Sequence, residues 1–517
     1  MGVRGIVGTS GSPTQQVPCR PLPQECRARP LRISARTSGR RAHAPSSNMP
    51  TIFHRAERFT RTVLAVRGMS VSRNEHRSCD NGGMNPATDS LAERISAWRC
   101  ARTRSDALLD LISDKGLSER PIADRHRFVF YLGHLEAFDW NLLSTKLDRA
   151  RAPCEFDTLF AFGIDPDHEH PEDAPGDWPD IAQIRAYNRS VRDDLDHLLA
   201  EASPARATAD AALHTLLDIA AEHRLMHMET LGYMLTQSRA PRAMRAALPA
   251  RERVAADMIL VPAGVATLGI SRDTHAAFAW DNEYEAHEMQ VPEFEIDRCM
   301  VTNRDWLRFM DAGGYDDPGC WRVSDWAWRC RDGVDQPASW SRVGGHWHAL
   351  TLTEALPLPP EWPVYVSHAE ASAYARWSGL ELPSEAQWHR AAFGTLGAEE
   401  RAYPWGAAAP AAHHGNFDFR SREPCAVDAD PDGDSAFGVR GLVGNGWEWT
   451  RSVFAPFDGF APSPFYPGYS ADFFDARHYV LKGGSALTAA RMLRRSFRNW
   501  FRPHYPYVFA GFRCVRN

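Results

Sequence analysis

The chain has 517 residues, enough for two or three domains, and its 44% hydrophobic and 24% charged residues are ordinary for a globular protein. The net charge of −6 hides an asymmetry: residues 1–83 hold 14 Arg, no Lys and 4 acids, about +10, so the remainder sits near −16. An acidic body is a poor general binder of nucleic acid. No apolar run approaches the roughly 18 residues of a membrane span, and the opening stretch MGVRGIVGTSGSPTQQVPC lacks the apolar core of a secretory signal. A cytoplasmic protein with neither a nucleic-acid nor a membrane partner is expected.

Residues 1–86 read as a disordered basic extension rich in Arg, Ser, Pro and Gly. It is a basic arm, an organelle transit peptide, or sequence included by a wrong start, with Met84 as the true one. The last reading is favoured because a capped helix follows Met84 at once: Asp89 or Ser90 can cap, and Leu91, Ile95 and Trp98 share a face.

From 87 to 245 the pattern is helical. DSLAERISAWRCARTRSDALLDLIS is one helix or two. RHRFVFYLGHLEAFDWNLLSTKL, IAQIRAYNRSVRDDLDHLLAEA and ADAALHTLLDIAAEHRLMHMETLGYMLTQ are three more. Long helices with uneven connections predict a four-helix bundle with a crossover. The Pro- and Asp-rich insert FAFGIDPDHEHPEDAPGDWPD is expected to be a surface loop. Residues 246–256 read as a linker.

From 257 to 517 helical periodicity almost vanishes and Trp, Gly and Pro rise. MILVPAGVATLGI predicts strand, turn, strand. VTNRDWLRFMDAG and SHAEASAYARWSG predict short helices ending near Gly. A loop-rich α+β domain follows. The ten cysteines contain no C-x-x-C pair, which argues against a zinc ribbon or a dense disulfide framework and for free thiols.

The stretch EHRLMHMETL sets His223 and His227 one helical turn apart, on one face, where they can share a metal ion. With 21 His in 517 residues, about one such pair is expected by chance, so the spacing is weak evidence by itself. There is no H-E-x-x-H, so the zinc-protease reading fails. Glu229 is out of phase with His223 and is read as a supporting carboxylate. A third ligand must come from another helix, and His134, amid Phe128, Phe130, Tyr131, Leu132 and Phe138, is the candidate; a ring in such surroundings needs a partner. His214 falls on the opposite face from His223. Imidazoles alone would also accept zinc or copper.

The elements MILVPAG, VTNRDWLRFM, LPSEAQW, GNGWEWT, KGGS and GFR occur in order, and together they resemble the domain of the formylglycine-generating, sulfatase-modifying superfamily, a C-type-lectin-like fold. Val is more usual where Gly446 stands. Members that make formylglycine use a cysteine pair soon after the GGS element; GGSALTAARMLRRSFRN has none, and Cys514 alone does not restore it. The whole of 87–517, a DinB-like bundle with His134 and H-x-x-x-H-x-E followed by this domain, is similar to the iron-dependent sulfoxide synthases of ergothioneine-type and ovothiol-type biosynthesis. FVFYLGHLEAF and FDTLFAFGID resemble the ovothiol side; YPGYSADFFDARHYVLKGGS and RNWFRPHYPYVFAGFR resemble the ergothioneine side.

The resemblance implies an enzyme that binds Fe(II) through His134, His223 and His227. It would use O2 to join the sulfur of cysteine or γ-glutamylcysteine to an imidazole carbon of histidine or hercynine, so its partners are small molecules. Tyr466, of the pair Tyr466 and Tyr469, would be the proton donor near the metal. Asn499 would help bind the imidazole substrate, with Phe501 where ergothioneine-type members often carry an acid; an aromatic face also holds a quaternary cation. Arg189 and Arg192, or Arg498 and Arg502, would clamp substrate carboxylates. Asn445 and Glu448 fall where formylglycine-generating relatives can bind calcium. Rival readings are transfer from a selenium donor, a non-catalytic binding module on the same scaffold, and a zinc-dependent thiol transferase.

Overall fold

The computed structural model describes residues 90–147, 154–161, 178–201, 211–273, 278–397 and 399–517. The basic extension and most of the Pro- and Asp-rich insert lie outside the described residues.

The helical region begins with α1, Leu91–Leu109. Ser90 caps it, accepting from the Glu93 amide while the Glu93 carboxylate accepts from the Ser90 amide; this reciprocal pair satisfies two donors that a helix start leaves bare. Next come α2, Phe128–Leu143, a short α3, Glu155–Leu159, then α4, Ile181–Glu201, and α5, Ala211–Gln237. Helix α1 packs on α5, and α2 on both α4 and α5. Because α2 and α5 lie at the centre, both are buried nearly all round, whereas α4 keeps one apolar face, Ile184, Tyr187, Val191, Leu195 and Leu199.

Buried ions tie these helices together. The Arg224 guanidinium on α5, 1% exposed, donates to Glu136 at 3.0 Å, to Asp139 at 2.6 Å and to the Leu135 carbonyl at 2.9 Å. Trp98 Nε1 on α1 donates to Asp139 at 2.8 Å, and Arg192 on α4 donates to Glu136 and Asp106. Burial alone would raise the Glu136 carboxyl, but Arg224 and Arg192 outweigh it and hold the group below the usual range.

After α5 the chain is drawn into the second domain earlier than its composition suggests. Strand β1, Ala243–Met244, pairs in parallel with β8, Glu354–Pro357, beside β7, His346–Leu350, and β6, Trp340–Val343. The predicted strand, turn, strand over 258–270 forms β2, Met258–Val261, and β3, Gly264–Leu268, but these do not pair with each other. Strand β2 pairs with β5, Phe294–Asp297, and β3 with β4, His287–Val291. Helices α6, Asn303–Asp311, and α8, His368–Trp377, are capped by Thr302 and Ser367 and are followed by left-handed Gly313 and Gly379. Helix α7, Val323–Asp332, lies between them, and α9, Glu385–Phe393, starts at a Ser384/Gln387 capping box.

The remaining sheet runs β11, Asn499–Phe501, then β10, Tyr479–Lys482, β9, Trp447–Val453, and β12, Ala510–Gly511; β13, Val515–Arg516, pairs with β5. Strand β9 carries the GNGWEWT motif. A Cβ at Gly446 would meet the Tyr365 ring at 2.9 Å, and that ring is held by its hydroxyl on the Asn445 carbonyl, which is why glycine stands there. One contiguous apolar core runs from Trp98 and Tyr131 in the bundle to Trp447, Phe497 and Phe512 in the second domain. Among the described residues, no helix is long and apolar enough to cross a membrane.

Candidate metal centre and its cavity

Helix α2 supplies His134, and α5 supplies His223 and His227. One nitrogen from each of the three rings lies within 4.8 Å of the others, and His223 Nε2 stands 3.1 Å from His227 Nε2. The rings are clamped by aromatic neighbours: Phe138 stacks on His223 with centroids 3.4 Å apart, and Phe130 on His134 at 4.8 Å. His134 Nδ1 lies 2.7 Å from the Phe160 carbonyl. An N–H donated there leaves the Nε2 lone pair facing the other two rings, the second bond that orients a ligating imidazole. Gly133 permits this approach, since a Cβ there would strike the Phe160 ring at 2.6 Å. Phe160, which follows α3, is invisible to spacing arguments because its contribution is a backbone oxygen.

Burial lowers all three imidazoles. His134 falls to about 4 despite the Phe160 carbonyl, and His223 and His227 fall well below the ordinary value, each pushed further by the neighbouring rings and by Arg224. The rings are therefore neutral and carry lone pairs at neutral pH. Nδ1 of both His223 and His227 is buried without a hydrogen-bond partner. Three neutral imidazoles converging in an apolar pocket make a poor hydrogen-bonded cluster but a good ligand set for a divalent transition metal, with room for further ligands. The donor set fits iron.

The pair His223 and His227 opens on a cavity of about 440 Å3 between the bundle and the second domain. Tyr466 stands at its histidine end, its ring 6.3 Å from His223 and 5.4 Å from Phe138. Burial raises its phenol, which keeps its proton. Tyr469 is less free: its ring stacks on Trp280 at 3.8 Å and its hydroxyl donates to Met226 Sδ at 3.3 Å. Asn499, Phe501 and Arg502 line the same cavity with Trp500 and Tyr505; Phe501 stacks on Tyr505 at 5.3 Å. Glu229 also faces the cavity, accepting from Trp447 Nε1 at 2.7 Å and from the Thr488 hydroxyl. Burial raises it to about 7 against those hydrogen bonds. It thus supports the α5 contact with β9, as its phase on the helix suggests. His214 lines a separate cavity.

Several expected roles do not survive the geometry. Arg192 is spent on Asp106 and Glu136 inside the bundle, and Arg189 points outward from α4. Arg498 is 2% exposed and forms a two-pronged pair with Glu385 at 3.0 and 3.2 Å, so it is a structural ion rather than a carboxylate clamp. The Asn445 and Glu448 side chains do not form a calcium site. Asn445 Oδ1 accepts from Asn416 and from the Cys425 amide, while Glu448 is neutralised by Arg513 at 2.6 and 2.7 Å and also accepts from Trp388 Nε1. Sequence reasoning missed Asp124 and Arg125 at the cavity edge, and Trp280 and Asp281 behind the tyrosines. They come from separate loops with no shared spacing to mark them.

Residues 244–517 match the sulfatase-modifying factor enzyme 1-like domain and residues 97–231 the DinB superfamily. A hercynine oxygenase of Mycolicibacterium smegmatis is 37% identical over 302 residues, covering 57% of this chain and 69% of that protein. A hercynine oxygenase of Mycolicibacterium thermoresistibile is 40% identical over 273 residues, 52% of this chain and 60% of that one. Ergothioneine biosynthesis protein 1 of Neurospora crassa is 28% identical over 496 residues, 79% of this chain and 56% of that one. The domain pair, with these relatives, defines an oxidoreductase. The chain belongs to the ergothioneine-type sulfoxide synthase family, whose members join a DinB bundle to a sulfatase-modifying-factor domain.

Proposed function

We propose that the protein is an Fe(II)- and O2-dependent sulfoxide synthase. It joins the sulfur of cysteine or γ-glutamylcysteine to an imidazole carbon of hercynine or histidine. Thiol, imidazole C–H and O2 give the sulfoxide and water, so the atoms balance without a further reductant. The observation that carries this reading is the triad of His134, His223 and His227 opening on a cavity that Tyr466 also faces. Iron held by the three imidazoles would supply thiolate binding and O2 activation at its free positions.

The chain's own residues do the rest. Phe130 and Phe138 hold the ligand rings and keep water from their outer faces. Tyr466 holds a proton on Oη within the cavity and makes no hydrogen bond to another described residue that would compete for it. The wall of Asn499, Trp500, Phe501 and Tyr505 offers flat faces for an imidazole and for a quaternary cation, and Arg502 offers a guanidinium to a carboxylate. The relatives named hercynine oxygenase favour hercynine as the imidazole partner. A cytoplasmic setting suits the free thiols of the described cysteines.

The test is anaerobic loading of the full chain with Fe(II), followed by O2 uptake with each thiol and imidazole pair. Thiol-dependent uptake with a C–S product is expected from one pair. His134→Ala should weaken iron binding by more than about 100-fold, beyond the loss seen when only a supporting contact is removed. Bound iron without thiol-dependent uptake for any pair would refute the reading.

A further inference from the structure

Between β3 and β4 the chain makes a short 3-10 turn, Asp281–Glu283, and in the run of four buried residues from Trp280 to Glu283 three side chains, those of Trp280, Asp281 and Glu283, touch parts of the site far apart in sequence. Trp280 Nε1 donates to Glu222, the residue before His223, at 2.8 Å, and the Trp280 ring stacks on Tyr469. Glu283 accepts from Arg494 at 2.6 Å, and Arg494 also donates to Glu222 at 2.8 Å. Asp281 is the most telling. Its Oδ1 accepts from the Ser470 hydroxyl at 2.5 Å, and its Oδ2 accepts from the Ser463 amide at 3.2 Å.

Ser463 and Ser470 are the two ends of the loop that carries Tyr466 and Tyr469. One carboxylate therefore closes both ends of it. Within the loop, the Ser463 hydroxyl accepts from the Tyr466 amide at 3.3 Å and the Tyr466 carbonyl accepts from the Tyr469 amide at 3.2 Å. The Tyr466 hydroxyl makes no hydrogen bond to a described residue, so ring packing and the backbone fix where it stands. A buried carboxylate is costly unless its acceptors are filled; here both oxygens are filled by loop donors.

We propose that Asp281 is the positioning residue of the tyrosine loop: by holding Ser463 and Ser470 from a turn that is itself bonded to Glu222 on α5, it fixes Tyr466 relative to His223. The idea rests on the role proposed above for Tyr466, and on orientation being a large share of a rate advantage.

The test uses the full chain with Asp281→Ala, Asp281→Asn, Ser470→Ala and the double variant Asp281→Ala/Ser470→Ala. The first readout needs no activity: hydrogen exchange of the amides in 463–470 should speed by about 10-fold in Asp281→Ala, roughly the worth of one lost hydrogen bond, while α5 is unchanged. With Fe(II), γ-glutamylcysteine and hercynine, coupled product per O2 consumed should fall about 10-fold, with iron stoichiometry and the thiol KM nearly unchanged. Asp281→Asn keeps an acceptor for Ser470 and should fall between. The double variant should be no worse than Asp281→Ala, since the serine acts through the carboxylate. If Asp281→Ala fails to fold, Ser470→Ala decides the matter, because it removes a single hydroxyl. Unchanged exchange over 463–470, or unchanged product per O2 in an active enzyme, would overturn the clamp. A wild-type protein with no thiol-dependent uptake would instead overturn the proposed reaction, with exchange still reading the clamp.

Discussion

His134 and His368 are almost equally hidden, at 3% and 1% exposure, and burial drives both far down, to about 4 and about 3. What surrounds them separates a candidate ligand from a core residue. His134 faces two more imidazoles across a shared space; His368 stacks flat on Tyr479 at 3.7 Å and edge-on to Trp449. For His368, Arg322 adds to the effect of burial and Asp325 opposes it. The depressed folded value makes it an acid liability. Above the ordinary value of 6.5 its contribution to stability is intact; as pH falls from 6.5 toward 3, the unfolded chain takes a proton that the folded chain refuses. At pH 5 the loss from this ring is about 2 kcal/mol. Urea unfolding at pH 7.5 and pH 5 should show wild type losing about 2 kcal/mol more than His368→Phe, which keeps the stacked ring and removes the titration. Equal losses would show that His368 is protonated in the folded state.

At the scale of elements, α5 carries two neighbouring residues with unlike tasks, His223 turned to the cavity and Arg224 turned to Glu136 and Asp139 on α2. Arg224→Ala leaves two buried carboxylates short of a cation, and the expected cost is about 3–5 kcal/mol in urea unfolding. Arg224→Lys should recover only part, because an ammonium cannot span both carboxylates and the Leu135 carbonyl. The helix itself was readable from sequence: its apolar spacing and length place α5 well, and Ser90 marks the start of α1 by its chemistry. Pairing was less readable. The pattern of 258–268 predicts two strands, but their partners, β5 and β4, come from later in the chain, so no local rule could join them. The arginines fail for the same reason. Arg192 and Arg498 look available in sequence because Glu136 and Glu385, which occupy them, lie 56 and 113 residues away. The histidine triad is the opposite case: H-x-x-x-H is a local signal, weak by frequency, and His134 sits on another helix, so no spacing rule joins it to the pair.

At the scale of the whole molecule, the cavity exists because the bundle and the second domain are held in one register, and the contacts that hold them are concentrated on the helix that carries two of the triad. Arg494 bridges Glu222 of α5 to Glu283, Arg491 reaches Asp218, and Glu229 receives Trp447 and Thr488. Every one of these is a partly buried polar contact, worth little if perfectly replaced but expensive when half of it is removed. A shared apolar core runs beneath them, so wild type should melt in a single calorimetric transition with matching van 't Hoff and calorimetric enthalpies. Arg494→Ala leaves Trp280 and Arg491 on Glu222 and Ser496 on Glu283, enough for each domain to fold but not to lock them. The expected result is a transition that splits or broadens, with the van 't Hoff enthalpy falling below the calorimetric one, and weaker Fe(II) binding, because the ion network behind His223 has lost its anchor. A single sharp transition merely shifted to lower temperature would mean that the apolar core alone couples the domains and that Arg494 is a local ion pair.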